Sequence, residues 1–147
     1  MDVATTTIGL SDLKFRLVRE DFADAVAALP GRLSLLAISG TELETQGRRA
    51  GLPVVSEVFA DRAYKADGRL VPRGQPGAVL DDPEAAAERL LRFAETGRMP
   101  VLGGGEVQLA AGSVCVHGDT PQAVRMAQVL RARVSEAGIT LRAFVDV

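Results

Sequence analysis

The residues best suited to chemistry lie near the C-terminus, in the run Val114-Cys115-Val116-His117-Gly118-Asp119-Thr120-Pro121, which holds the only histidine of the chain. Ser113 to Val116 is an apolar run that reads as a buried strand, and Gly118 breaks it. Asp119 or Thr120 suits a helix N-cap, and Pro121 suits the first helical position. His117 and Asp119 are therefore expected at the C-terminal end of a strand, beside a helix N-terminus. There, free N–H groups and the positive dipole end favour ligands. The same spacing also fits an ordinary βα turn in which Asp119 only caps.

The elements that must position these groups alternate. Ser11 caps an expected helix over Asp12 to Leu29, stopped by Pro30-Gly31. Leu33 to Ile38 reads as a buried strand, and Thr41 to Ala50 as a polar helix ended by Gly51 in a left-handed C-cap. Val54 to Phe59 is the next strand. Asp82-Pro83 opens a helix to about Glu95, with Ala86, Leu90, Leu91 and Phe93 inward. Glu106 to Leu109 is a candidate strand after a turn at Gly103 to Gly105. Thr120 to Ala137 is the last helix, with Ala123, Ala127, Leu130 and Val134 inward, and Leu141 to Val145 a final strand. Strands alternating with helices predict an α/β fold with a mostly parallel sheet. Its C-terminal rim would gather Glu57, Asp61, Arg62, His117 and Asp119.

Bulk properties narrow the partners. The chain has 147 residues, 47% hydrophobic and 24% charged, as expected of a globular domain with a real core. Its formal net charge is −2 and no basic block stands out, so nucleic acid is not expected as a partner. No apolar run approaches the ~20 residues of a membrane span. The first residues lack a basic segment followed by an apolar one, so no export signal is expected. The single cysteine, Cys115, has no internal disulfide partner and suits a reducing cytoplasm. Set in an apolar strand, it reads as a buried inert thiol rather than a nucleophile.

The connection from Ala60 to Leu80 is far longer than the ~2–6 residues usual between a strand and a helix. It carries Arg62, Lys65, Arg69, Arg73 and the only tyrosine, Tyr64. Cations above a rim suit capture of a carboxylate or phosphate, because Arg grips either with two parallel hydrogen bonds. A solvated surface loop with scattered charges has the same composition.

Two blocks carry a resemblance. Glu57-Val58-Phe59-Ala60-Asp61-Arg62-Ala63-Tyr64, with Asp67-Gly68, Leu70-Val71-Pro72-Arg73 and Pro76-Gly77-Ala78-Val79, resembles the LamB/YcsF family, which holds the A subunit of bacterial 5-oxoprolinase. Val114 to Pro121 with Ala123-Val124 resembles the same family's closing motif. The likeness covers residues 22 to 146 and leaves residues 1–21 unassigned. It implies a domain over residues 22–147 that forms part of a distorted (β/α) barrel of the glycoside hydrolase/deacetylase-like type. It also implies ATP-dependent hydrolysis of 5-oxo-L-proline to L-glutamate, performed with the B and C subunits of 5-oxoprolinase. The family carries a further N-terminal half, with an Asp-Leu-Asn-Cys-Asp-Leu-Gly-Glu strand and His-containing motifs, none of which occurs here. A half-barrel exposes sheet edges and apolar interior, so a homo-oligomer or another closing chain is expected.

Under the resemblance, His117, Asp119 and Glu57 are the catalytic candidates, and Asp61, Arg62, Tyr64 and Arg73 are the substrate-binding ones. Histidine titrates near neutral pH and suits general acid–base work. Asp119 would orient it or act as base. Glu57 and Asp61 form a carboxylate pair or a Mg²⁺ site. One histidine with a few carboxylates is a poor transition-metal set, because catalytic zinc normally takes three protein ligands. No Gly-x-x-x-x-Gly-Lys-Ser/Thr run is present, so ATP is expected to enter through a partner subunit. Two other readings stay open: a non-catalytic assembly module that keeps a subunit-binding surface, and an unrelated small-molecule-binding α/β domain.

Overall fold

The computed structural model describes residues 26–28, 33–117 and 122–142. Three strands, β1 (Leu35–Ile38), β2 (Val54–Phe59) and β5 (Ser113–Cys115), form a parallel sheet in the order β1-β2-β5. In register, Ile38 lies against Glu57, and Phe59 against Cys115. Side chains alternate between faces. Ala37, Ser56 and Val58 are buried on one face, while Leu36, Ile38, Val55 and Glu57 on the other are half-buried.

Between β1 and β2 runs α1 (Glu42–Arg49). Thr41 caps its N-terminus, Glu42 and Glu44 occupy the first turn, and Arg48 and Arg49 the last, all in accord with the helix dipole. Gly47 lets this helix approach the sheet closely. A Cβ there would come within 2.5 Å of Leu35 Cδ2 and 3.1 Å of Val54 Cγ2. Glu44 reaches over the sheet and accepts from the Ser56 hydroxyl, which Arg48 Nη2 also contacts at 2.9 Å.

Helix α2 (Pro83–Thr96) begins as the Asp82-Pro83 signal predicts. The Asp82 carboxylate accepts from the Glu84 N–H at 2.9 Å, and the helix closes on left-handed Gly97. It packs Ala86, Ala87, Leu90 and Phe93 against α3 (Ala123–Glu136) and Val58 of the sheet. On α3 the buried set is Ala123, Met126, Leu130 and Val134, so Met126 and not Ala127 faces inward. The helix starts at Ala123 after Gln122, later than the expected Pro121 start. Residues 118–121 lie outside the described residues. So do the greater part of the helix expected over 12–29 and all of the expected final strand except Leu141 and Arg142, which are irregular.

Two features lie outside the parallel sheet. Glu106–Gln108 is not a strand of the parallel sheet. As β4 it pairs antiparallel with β3 (Arg98–Pro100) in a separate hairpin, turned by Gly103, Gly104 and Gly105, all with positive φ. The described strands thus form an open sheet plus a hairpin. The long connection is also not a loose surface loop. Tyr64 bridges to both Leu70 and Val101, Arg62 bridges to Val79, and Ala63, Val71 and Ala78 make a small core of their own with Leu80. Among the described residues, no helix is long and apolar enough to cross a membrane.

Candidate functional site

The parallel register brings β2 and β5 to a common C-terminal end. The Ala60 N–H donates to the Cys115 carbonyl at 3.2 Å, just beyond Phe59. One residue past Ala60 and two past Cys115, Asp61 and His117 meet. The Asp61 carboxylate accepts the His117 Nδ1–H, with Oδ2 at 2.8 Å and Oδ1 at 3.0 Å, and also takes the His117 backbone N–H at 3.3 Å. The Asp61 side chain is 7% exposed and that of His117 is 20% exposed. A carboxylate accepts only, so it selects the imidazole tautomer protonated on Nδ1 and leaves Nε2 as the basic nitrogen.

The imidazole is held on a second side. The Phe59 ring stacks on it with centroids 5.3 Å apart and planes 22° from parallel. Phe59 lies on the same sheet face as Glu57, whose carboxyl also feels the histidine. Burial raises the Glu57 carboxyl above its ordinary pKa, and the nearby His117 partly offsets the rise. Burial likewise pushes the Cys115 thiol up to about 11, helped by the charges of Glu57 and Asp61 and opposed by Arg73. The thiol is thus no nucleophile at neutral pH. Beside the pair opens a cleft of about 190 Å³, walled by Val79, Leu80, Asp81 and Met126.

The expected residues are placed as follows. Asp61 and His117 are in contact, Glu57 stands within electrostatic range of His117, and Arg73 within that of the neighbouring Cys115. Arg62 is buried, and its guanidinium donates to the carbonyls of Val71 at 2.8 Å and Ala78 at 3.3 Å, which braces the long connection. Tyr64 is fully buried, and its hydroxyl accepts the Phe59 N–H at 2.8 Å. Its ring lies under the Arg89 guanidinium, 5.5 Å from the centroid. Tyr64 is thereby a scaffold residue, with no exposed face for a substrate. Asp119 lies outside the described residues. Phe59 and Asp81 join the site without having been among the expected site residues. Phe59 is findable, since it sits two residues after Glu57 on the same strand face. Asp81 carries no such signal.

Among the described residues, no three of His, Cys, Asp or Glu come together to hold a metal ion. The Gly103–Gly105 tip is exposed and is followed by Glu106-Val107, without the Lys or Ser/Thr of a phosphate cradle.

A parallel sheet whose strand ends seat a histidine on a buried carboxylate defines the class: an α/β protein with its candidate site at the carboxyl ends of adjacent strands. The chain belongs to the LamB/YcsF family, whose model matches residues 15–147. That match begins within residues 1–21, which the resemblance left unassigned. The chain is 50% identical over 131 residues to the A subunit of 5-oxoprolinase from Nocardia farcinica (strain IFM 10152), covering 86% of this chain and 52% of that protein. It is 44% identical over 120 residues to the A subunit of 5-oxoprolinase from Thermus thermophilus, covering 82% and 48%. The crystal structure of a lactam utilization protein from Thermus thermophilus superposes with a TM-score of 0.78 at 41% identity, over 86% of this chain and 50% of that one. The chain therefore spans about half the length of the curated relatives it matches.

Proposed function

We propose that this chain contributes the His117–Asp61 pair, with Glu57, to ATP-dependent hydrolysis of 5-oxo-L-proline to L-glutamate, as part of a 5-oxoprolinase A subunit acting with the B and C subunits. The observation that carries the reading is the Asp61 carboxylate on His117 Nδ1, within a region half identical to a protein named for that role. Opening a lactam requires a water to lose a proton as it attacks the carbonyl carbon, and the ring nitrogen to gain one as it leaves. His117 Nε2 takes the water's proton and returns it to nitrogen, while Asp61 holds the ring and stabilises the imidazolium. Glu57, poised by burial, is a second proton carrier beside it. Arg73 offers a cation for the substrate carboxylate, and Asp119 an additional acceptor. The phosphoryl chemistry of ATP is assigned to the partner subunits, since the described residues form no phosphate cradle.

A second reading has an observation of its own. Leu36, Ile38 and Val55 leave apolar side chains half-exposed on one sheet face, which suits a module that is closed by another copy or another chain, in a cytoplasmic complex. The test that separates the readings is formation of L-glutamate from 5-oxo-L-proline and ATP by the chain with the B and C subunits, using wild type and His117→Ala. Loss of turnover in the variant supports the catalytic reading. Assembly with unchanged turnover in the variant supports the module.

A further inference from the structure

Strand amides face alternate neighbours, and β2 shows the alternation at its end. The Glu57 carbonyl accepts from Ser39 N on the β1 side, at 2.9 Å, and the Ala60 N–H donates to Cys115 on the β5 side. The Phe59 N–H therefore points to the β1 side, where β1 has already ended at Ile38. The acceptor it finds is not a strand carbonyl. The Tyr64 hydroxyl takes it instead, from a fully buried side chain in the long connection.

That one bond sits at the root of the site. Phe59 stacks on His117, and Asp61, two residues on, holds His117 Nδ1. The carbonyl of Asp61 is itself fixed by the Leu80 N–H at 2.9 Å. Tyr64 is in turn clamped by Arg89, whose guanidinium lies over the ring and whose Nε meets Met99 Sδ at 3.0 Å.

We propose that Tyr64 is a positioning residue for His117: by accepting the Phe59 N–H where β1 stops, it sets the ring that stacks on the imidazole and the backbone that delivers Asp61. The kinetic consequence rests on the catalytic reading of His117. The positional one does not.

The single histidine makes the test clean. In Tyr64→Phe the volume is kept and only the acceptor is lost. The chain should fold with a lowered Tm, the ring-current shift of the His117 Hε1 and Hδ2 protons by Phe59 should shrink, and the imidazole ¹⁵N shifts should move. Val134→Ala, a buried change in α3, should lower Tm without moving these signals. With the B and C subunits present, Tyr64→Phe should lower kcat by up to ~100-fold with little change in KM, the signature of a misplaced group. Unchanged His117 proton and ¹⁵N shifts in a folded Tyr64→Phe overturn the proposal, as do equal shifts in Val134→Ala. If Tyr64→Phe does not fold, Phe59→Leu reads the second link: moved imidazole ¹⁵N shifts support it and unmoved ones overturn it. Retained turnover in His117→Ala would instead sink the catalytic reading and leave the spectroscopic result standing.

Discussion

Replacing Asp61 with Asn tests the pairing at the centre of the site. The change keeps size and shape but removes the charge that accepts the His117 Nδ1–H at 2.8 and 3.0 Å. Hydrogen bonds to charged groups contribute ~1.5–3 kcal/mol. Asn can still offer its carbonyl oxygen to one donor, so a net loss of about 1–2 kcal/mol is expected. In a chain of this length that lowers Tm by about 2–8 °C. The larger effect is on the tautomer. The Asn amide donates where the carboxylate could only accept, so the imidazole is free to carry its proton on Nε2 and lose its basic nitrogen on the cleft side. The analogous Asp→Asn change in a serine protease costs about 10⁴-fold in kcat. The assays are a thermal melt and imidazole ¹⁵N spectra of the purified chain, followed by turnover with the partner subunits. An Asp61→Asn variant with wild-type Tm and an unaltered ¹⁵N pattern would mean that the contact neither stabilises nor orients the imidazole.

Other consequences are equally direct. Glu57 has its pKa raised by burial, so the folded state binds its proton more tightly than the unfolded state and stability falls as pH rises through the window above 4.5; Glu57→Gln should therefore be more stable than wild type at pH 7, with the gain vanishing below pH 4.5 in paired melts. Glu44 has the opposite sign: burial pushes its pKa up, but Ser56, the Gly40 N–H and Arg48 outweigh it, so the net shift is down and its contribution, present above pH 4.5, is lost on acidification; Glu44→Gln should flatten the acid limb of the melting profile. Cys115, with its thiol near 11, should react with iodoacetamide far more slowly in the native chain than in denaturant at pH 8. Gly97 closes α2 at φ 68°, so Gly97→Ala should cost about 1–2 kcal/mol, read as a lower denaturation midpoint with an unchanged slope.

The parts of the fold legible in the sequence are those with local signals. Asp82-Pro83 and Gly97 bracket α2, Thr41 caps α1, and β2 falls where Val54-Val55 and Val58-Phe59, on either side of Ser56-Glu57, place it. The hairpin strand Arg98–Pro100 is not legible. It is three residues long, contains a proline and shows no alternation, and only tertiary packing, with Met99 fully buried, makes it a strand. Ala127 and Met126 are adjacent, and a helix stripe cannot distinguish them until its partner α2 is in place. The site divides in the same way. That Asp61 and His117 share a rim follows from parallel strands ending together, although they are 56 residues apart. That Arg62 and Tyr64 turn into the scaffold does not follow from composition, because the acceptors and donors that hold them, at Val71, Ala78 and Phe59, are backbone groups with no sequence signature.

The most direct test of the central claim is formation of L-glutamate from 5-oxo-L-proline and ATP by the purified chain, alone and with the B and C subunits of 5-oxoprolinase. The chain alone should give no product, the chain with the partner subunits should give product, and His117→Ala should lose it. Product from the chain alone, or turnover that His117→Ala leaves intact, would contradict that claim.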